Sequence, residues 1–186
     1  MEFQTLGAVQ ARVDGLPVEL GEPQQRLVLA LLLASADSVV STDRLIAGIW
    51  GDEPPASSRK IVQGYVSRLR KALGGGEIIE SKSPGYRLVV KPQLIDALMF
   101  QRHAAEGAAQ VGIDPHRARQ ELEGALSLWH GAPFEDLSDY DVLRPEIVRL
   151  EQLHAAAVEA RIEAEILSGQ HTAVTTELAD LTGRYP

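Results

Sequence analysis

Eight of the chain's 18 lysines and arginines fall between Ser57 and Lys91, where only Glu77 and Glu80 oppose them. Clustered lysine and arginine suit the phosphates of a nucleic acid, while Arg, Gln and Ser side chains suit the edges of its bases. The spacing sharpens this. Over SSRKIVQGYVSRLRKAL a 3.6-residue wheel brings Val62, Val66, Leu69 and Leu73 within about 40° of one another, with Tyr65 at the edge, which predicts a buried face. Lys60, Gly64, Ser67 and Lys71 line the opposite side, flanked by Gln63 and Arg68, and no acid interrupts them. A glycine in mid-helix costs roughly 1 kcal/mol against alanine. A closely approaching surface such as a DNA groove offsets that cost; a solvated basic face that tolerates a glycine is the plainer alternative.

The next residues favour the groove. Gly74-Gly75-Gly76 stops the helix, Glu77 to Ser81 can extend, Lys82-Ser83-Pro84-Gly85 is turn chemistry, and Tyr86, Leu88 and Val90 alternate with Arg87 and Val89. A basic helix followed by a hairpin tipped with Lys and Arg is the layout of a winged helix-turn-helix, with the helix in the major groove and the wing on backbone or minor groove. Gln63, Ser67 and Arg68 are then the expected base readers, with Gly64 permitting close approach. Lys60, Tyr65, Arg70 and Lys71 are expected to hold phosphates, with Arg59 and Lys82 as further phosphate contacts.

Other chemistries find less support. His103, His116, His130, His154 and His171 show neither HxH nor HExxH spacing, so no metal site is expected. Glu135-Asp136 and Asp139–Asp141 lack the terminal glutamate of a calcium loop and are expected as solvated acids or a contact surface. The triple glycine belongs to no GxxxxGK[ST] pattern. Trp50 and Trp129 are expected in the core. No nucleophile pairs with a base, and neither an enzyme nor a bound cofactor is expected.

The net charge of −8 argues against a polyanion only if it is spread evenly. It is not: Ser57–Lys91 carries +6, residues 92–186 carry −9 and residues 1–56 carry −5. Screening over about 8 Å at physiological salt lets the basic stretch act locally. No cysteine is present, which fits a reducing cytoplasm, and no apolar run approaches the ~18 residues of a membrane span.

Positioning elements are legible on both sides of the basic helix. Glu2–Leu6, Val9–Val13 and Leu16–Leu20 have strand character, with Asp14-Gly15 as a hairpin turn. Pro23–Ala36 reads as a helix apolar nearly all round. Ser41 is placed to cap a helix over Thr42–Trp50, with Val40 and Leu45 as its hydrophobic staple. Beyond Pro92 the pattern is helical: from Asp96 through Val111 on the stripe Ala97, Phe100, Ala104, Ala108, Val111; from Asp114-Pro115 to His130; and a long helix with two apolar stripes around Leu150, Ala157 and Ile162.

The segments LGEPQQRLVLALLLA, VSTDRLIAGIWGDEPPAS, YVSRLRKAL and SPGYRL resemble an OmpR-type winged-helix effector domain. With ALSLWHGAPFEDL and RLEQLHAAAVEARIEAEILSGQH they resemble the Streptomyces antibiotic regulatory protein family across the whole chain. The resemblance implies an α+β winged helix-turn-helix over residues 1–91, with a leading antiparallel sheet, three helices and a wing hairpin. An all-α, tetratricopeptide-like bacterial transcriptional activation domain would follow over residues 92–186. A further helix is expected over Gln170–Gly183, and the activation domain is expected to be incomplete at its C-terminal end. Arg87 matches the wing arginine of the family's GYR motif, which implies entry into the minor groove. The implied function is sequence-specific activation of transcription. The implied partners are double-stranded promoter DNA, bound at direct repeats by a homodimer, and RNA polymerase holoenzyme through its sigma factor; no membrane is involved. A DNA-binding repressor and a helical protein-interaction adaptor are the alternatives that the residues leave open.

Overall fold

A computed structural model describes residues 1–75 and 78–169. The chain forms two compact units: one holds Met1–Leu98 and His130–Arg149, and the other holds Met99–Trp129 and, among the described residues, 150–169.

The first unit opens with an antiparallel sheet of β1 (Glu2–Gln4), β2 (Gln10–Val13) and β3 (Leu16–Pro17) in the order β1-β2-β3. Asp14 and Gly15 both take positive φ, 52° and 79°, as a tight two-residue hairpin requires. The third strand is far shorter than its alternating residues suggest: Leu16 is 71 % exposed, and only Leu20 reaches the core. Next come α1 (Pro23–Ala34), whose residues Leu27 to Leu33 are all buried, and β4 (Val39–Ser41). In α2 (Thr42–Trp50) Ser41 Oγ accepts from Arg44 N at 3.1 Å, and Val40 and Leu45 are buried as a staple requires. Trp50, expected in the core, is only half buried. The sequence gives no separate signal for β4. It pairs with the wing, so α3 (Ser58–Ala72) is followed not by a free ribbon but by a three-stranded sheet ordered β4-β6-β5, with β5 at Ile79–Lys82 and β6 at Gly85–Leu88. Gly85 reads as a turn residue, yet its need is closeness: a Cβ there would drive into the Val40 carbonyl and come within 2.7 Å of Ser41 Cα.

The aspartate expected to cap α4 (Asp96–Gln110) does more than that. Asp96 is 8 % exposed, and its carboxylate accepts from Ala97 N (2.7 Å), Thr5 N (2.9 Å), Thr5 Oγ1 (2.9 Å) and Leu6 N (3.0 Å). The residues after β1 also accept from the segment His130–Arg149: His130 N donates to Leu6 O, Phe134 N to Thr5 O and Glu135 N to Gly7 O, at 2.8–3.1 Å. Asp136, expected as a solvated acid, takes Val9 N at 2.7 Å through Oδ1 and Arg26 Nε at 2.7 Å through Oδ2. The acidic loop is therefore a clasp on the leading sheet.

In the second unit α5 (Pro115–Leu126) begins as expected, with Asp114 Oδ1 accepting from Arg117 N. It ends before His130. Of the expected stripe Ala97, Phe100 and Ala104 are buried along α4 and Val111 just past its end, but Gly107 takes the place of Ala108, which is exposed; Gly107 lets Leu122 pack close. In α6 (Arg144–Leu167) Leu150, Ala157, Ile162 and Ala164 are buried, while Ile166 and Leu167 are exposed. The helix expected over 170–183 lies outside the described residues. Trp129, half buried, stacks between Phe100, 5.3 Å away edge-on, and His154, 4.3 Å away.

Replacing Asp96 with alanine leaves the Thr5 and Leu6 amides without their acceptor, and unsatisfied buried donors to a charged group cost about 2–4 kcal/mol. Urea unfolding of Asp96→Ala should show that loss; a change within experimental error would mean that water replaces the carboxylate. Burial holds the His154 imidazole below its ordinary value of 6.5. The ring stays neutral when folded and takes a proton when unfolded. Its contribution is therefore complete above pH 6.5 and is lost as pH falls below it, towards the depressed folded value. Thermal unfolding from pH 7.5 to 5 should fall less steeply in His154→Phe than in the parent.

Candidate nucleic-acid interface

The helix α3 ends where its sequence says it should. Leu73 N closes on Leu69 O, Gly74 takes a left-handed φ of 87°, and Gly75 N returns to Arg70 O, with Arg70 and Lys71 in the last turn favouring the negative end of the helix. Its inner face is the predicted one: Val62, Leu69, Val66 and Leu73 are at most 1 % exposed, and Tyr65 is 5 % exposed. The outer face presents Lys60, Gln63, Ser67 and Lys71 to solvent, and the side chains of these four have no hydrogen bond or ion pair with other described residues. A Cβ on Gly64 would meet only Arg68 Nη1, at an ordinary 3.6 Å, so the middle of this face is open.

The remaining expected residues divide by what already holds them. Arg59 pairs with Asp43 at 2.6 Å, with both side chains more than half exposed, a contact worth little and easily exchanged. Lys82 is exposed at the wing tip. Tyr65, expected on a phosphate, is a core ring whose hydroxyl donates to Gln24 Oε1 at 2.6 Å and is pushed up from its ordinary pKa chiefly by burial. Arg70, also expected on a phosphate, is committed to the wing: Nε donates to Ile79 O at 2.7 Å, Nη2 to Ser81 Oγ at 2.9 Å, and the guanidinium stands 5.9 Å from the Tyr86 ring. Arg87 is not at the tip. The register Glu80↔Arg87 sets it back within the sheet, where Nη2 binds Glu80 Oε2 at 2.8 Å and Nη1 lies 3.7 Å from Asp37. The hydrogen bond to Glu80 raises the Arg87 pKa. Arg68 lies over Tyr65 and donates Nε to Gln25 Oε1 at 2.6 Å. Sequence reasoning missed Gln24 and Gln25, two adjacent amides at the start of an otherwise apolar helix.

Among the described residues one cluster is tight enough to share a metal ion: His103, Glu106 and Glu121, with ligating atoms within 4.8 Å of one another. Its spacing across two helices escapes a scan for HxH or HExxH. His103 Nδ1 and Glu121 Oε2 already satisfy each other at 3.0 Å, and Arg102 lies 3.9 Å from Glu106. No helix among the described residues is long and apolar enough to cross a membrane.

An exposed, acid-free helix face, mounted on α1 and α2 and braced by a wing, defines a winged helix-turn-helix of the nucleic-acid-binding class. Comparison with known proteins agrees. Residues 15–88 match the transcriptional regulatory protein C-terminal family, and residues 95–186 match the bacterial transcriptional activator domain. The regulatory protein DnrI of Streptomyces peucetius is 32 % identical over the whole chain, which covers 72 % of DnrI. EmbR of Mycobacterium tuberculosis is 36 % identical over the whole chain, which spans about half of EmbR's length (50 %). A solved structure of M. tuberculosis EmbR in complex with a low-affinity phosphopeptide superposes with a TM-score of 0.95 at 34 % identity, covering all of this chain and 50 % of that one. AfsR of Streptomyces coelicolor, 35 % identical, is matched over 19 % of its length. The chain belongs to the Streptomyces antibiotic regulatory protein family of transcriptional regulators.

If Arg70 braces the wing, Arg70→Ala should lower the melting temperature and speed hydrogen exchange at the β5 amides. The salt slope of DNA binding should stay as in the parent. A slope shallower by about 0.9 would instead mark Arg70 as a phosphate contact.

Proposed function

We propose that this chain acts in the cytoplasm as a transcription activator: it binds promoter DNA sequence-specifically through α3 and activates transcription. The observation that carries the reading is the outer face of α3, where Lys60, Gln63, Gly64, Ser67 and Lys71 form an open surface without acids and without side-chain partners among the described residues. A helix of this kind enters a major groove, and Lys60 and Lys71, which pair with no described residue, break no ion pair on docking. Lys60 and Lys71, with Lys82 on the wing, hold phosphates; Gln63, Ser67 and Arg68 face base edges, and Gly64 admits the groove wall. Arg59 and Arg87 join by exchanging Asp43 and Glu80 for phosphate oxygens. Tyr65 and Arg70 support the site from within. Family membership supports the rest of the reading: two copies on direct repeats, with the helical domain recruiting RNA polymerase holoenzyme through its sigma factor.

Gly64→Glu tests the surface directly. Glutamate is a better helix former than glycine by roughly 0.5–1 kcal/mol, so stability should hold or rise, while the carboxylate set against phosphates abolishes binding. Titrations of duplex DNA at several salt concentrations should give a steep log K against log salt for the parent and no measurable binding for the variant. A variant that binds as well as the parent would remove this face from the interface. Transcription in vitro with purified holoenzyme then separates an activator from a repressor, and a chain that binds no DNA would leave the adaptor reading.

A further inference from the structure

Gln25 is 5 % exposed, one of five buried polar or charged residues among those described and, after Thr5, the deepest. Both ends of its amide are used. Nε2 donates to Leu20 O at 3.0 Å, and Oε1 accepts from Arg68 Nε at 2.6 Å. Leu20 O can only accept and Arg68 Nε can only donate, so the amide has a single workable orientation; turned over, it would set donor against donor and acceptor against acceptor. The turn before α1 is shaped to admit it: Gly21 has a φ of +79°, and a Cβ there would stand 2.9 Å from Gln25 Nε2.

The guanidinium of Arg68 is thus fixed on two sides. Its Nε edge is tied to Gln25, and its Cζ stands over the Tyr65 ring, 5.1 Å from the ring centroid, the ring being itself anchored by its hydroxyl on Gln24. Nη1 and Nη2 hold no hydrogen bond among the described residues, which leaves the forked end of the group intact for a two-point contact. Arg68 shares an open cavity of about 530 Å³ with Glu19, Glu22 and Gln25. Two acids beside it disfavour a phosphate there, whereas a neutral base edge meets no such repulsion.

We propose that Gln25, on α1 and away from the groove face, is a positioning residue for base recognition: it presents the Nη fork of Arg68, and so sets sequence discrimination without touching DNA itself. This rests on the DNA-binding reading of α3. A guanidinium held in advance forfeits less side-chain freedom on docking, and a good two-point base contact discriminates by roughly 5- to 150-fold.

The test uses the full chain and a duplex recovered by the parent from a randomised pool, compared with the same duplex scrambled. Gln25→Met keeps the length and loses both hydrogen bonds; the ratio of specific to scrambled affinity should fall about tenfold. In an Arg68→Ala background the same substitution should leave that ratio where Arg68→Ala alone puts it, because the group to be positioned is gone. Circular dichroism and melting of each variant separate positioning from unfolding. Should Gln25→Met unfold the chain, Gln25→Ala, which removes the same two hydrogen bonds with a smaller side chain, replaces it and should show the same fall in the ratio. A fall of both affinities alike in Gln25→Met, or an equal fall of the ratio with and without Arg68, overturns the proposal. If the parent enriches no duplex from the pool, the DNA-binding reading itself fails, which is a distinguishable outcome.

Discussion

One buried carboxylate organises the first unit. Asp96 collects the amides of Thr5 and Leu6, the Thr5 hydroxyl and the first free amide of its own helix, so a single negative charge serves both the end of β1 and the positive end of α4. Charge-assisted bonds to backbone amides are the strong ones, and burial makes their loss costly. With Thr5 and Leu6 held from one side, their carbonyls are presented to Phe134 and His130 on the other. Asp136 then reaches Val9 and, through Arg26, the start of α1. The leading sheet is locked to the helix that carries Gln24 and Gln25, and hence to the support beneath α3.

Seen this way, the cations around the interface fall into two groups that composition cannot separate. Arg26, Arg68, Arg70 and Arg87 each hold a defined internal acceptor, at Asp136, Gln25, Ile79 and Glu80. The lysines Lys60, Lys71 and Lys82 stand in solvent. The division follows the chemistry of the two side chains. A planar guanidinium makes directional bonds that fix one element against another, whereas an ammonium on a flexible stem is a mobile charge suited to a phosphate that carries no sequence information.

What the sequence disclosed and what it hid follow from range. The cap at Ser41, the stripe of α3, the Asp14-Gly15 turn and the start of α5 each depend on residues at most four positions apart, and each was legible. Arg70 and Arg87 read as surface groups on a wheel or at a hairpin tip, and Tyr65, at the edge of the buried face, as a phosphate ligand, because their partners, at Ile79, Glu80 and Gln24, belong to other elements. Asp136 looked like a solvated acid because the amide that it receives lies 127 residues away. β4 has three residues and no periodicity of its own; only the presence of β6 makes it a strand. Gly107 for Ala108 is a shift of one position, which a wheel does not resolve when both residues are small.

The order β4-β6-β5 also bears on when the wing comes into existence during folding. Pairing of β5 with β6 joins neighbours across a short turn and can form early, but a two-stranded ribbon alone is marginal in water. The third strand closes Val39 onto Arg87, a loop that encloses α2 and α3, and its entropy must be paid before the pairing returns anything. The wing therefore becomes persistent only after the helices it flanks have packed. Within the interface, Lys82 on the wing, proposed as a phosphate contact rather than a base reader, would be the last cation set in place.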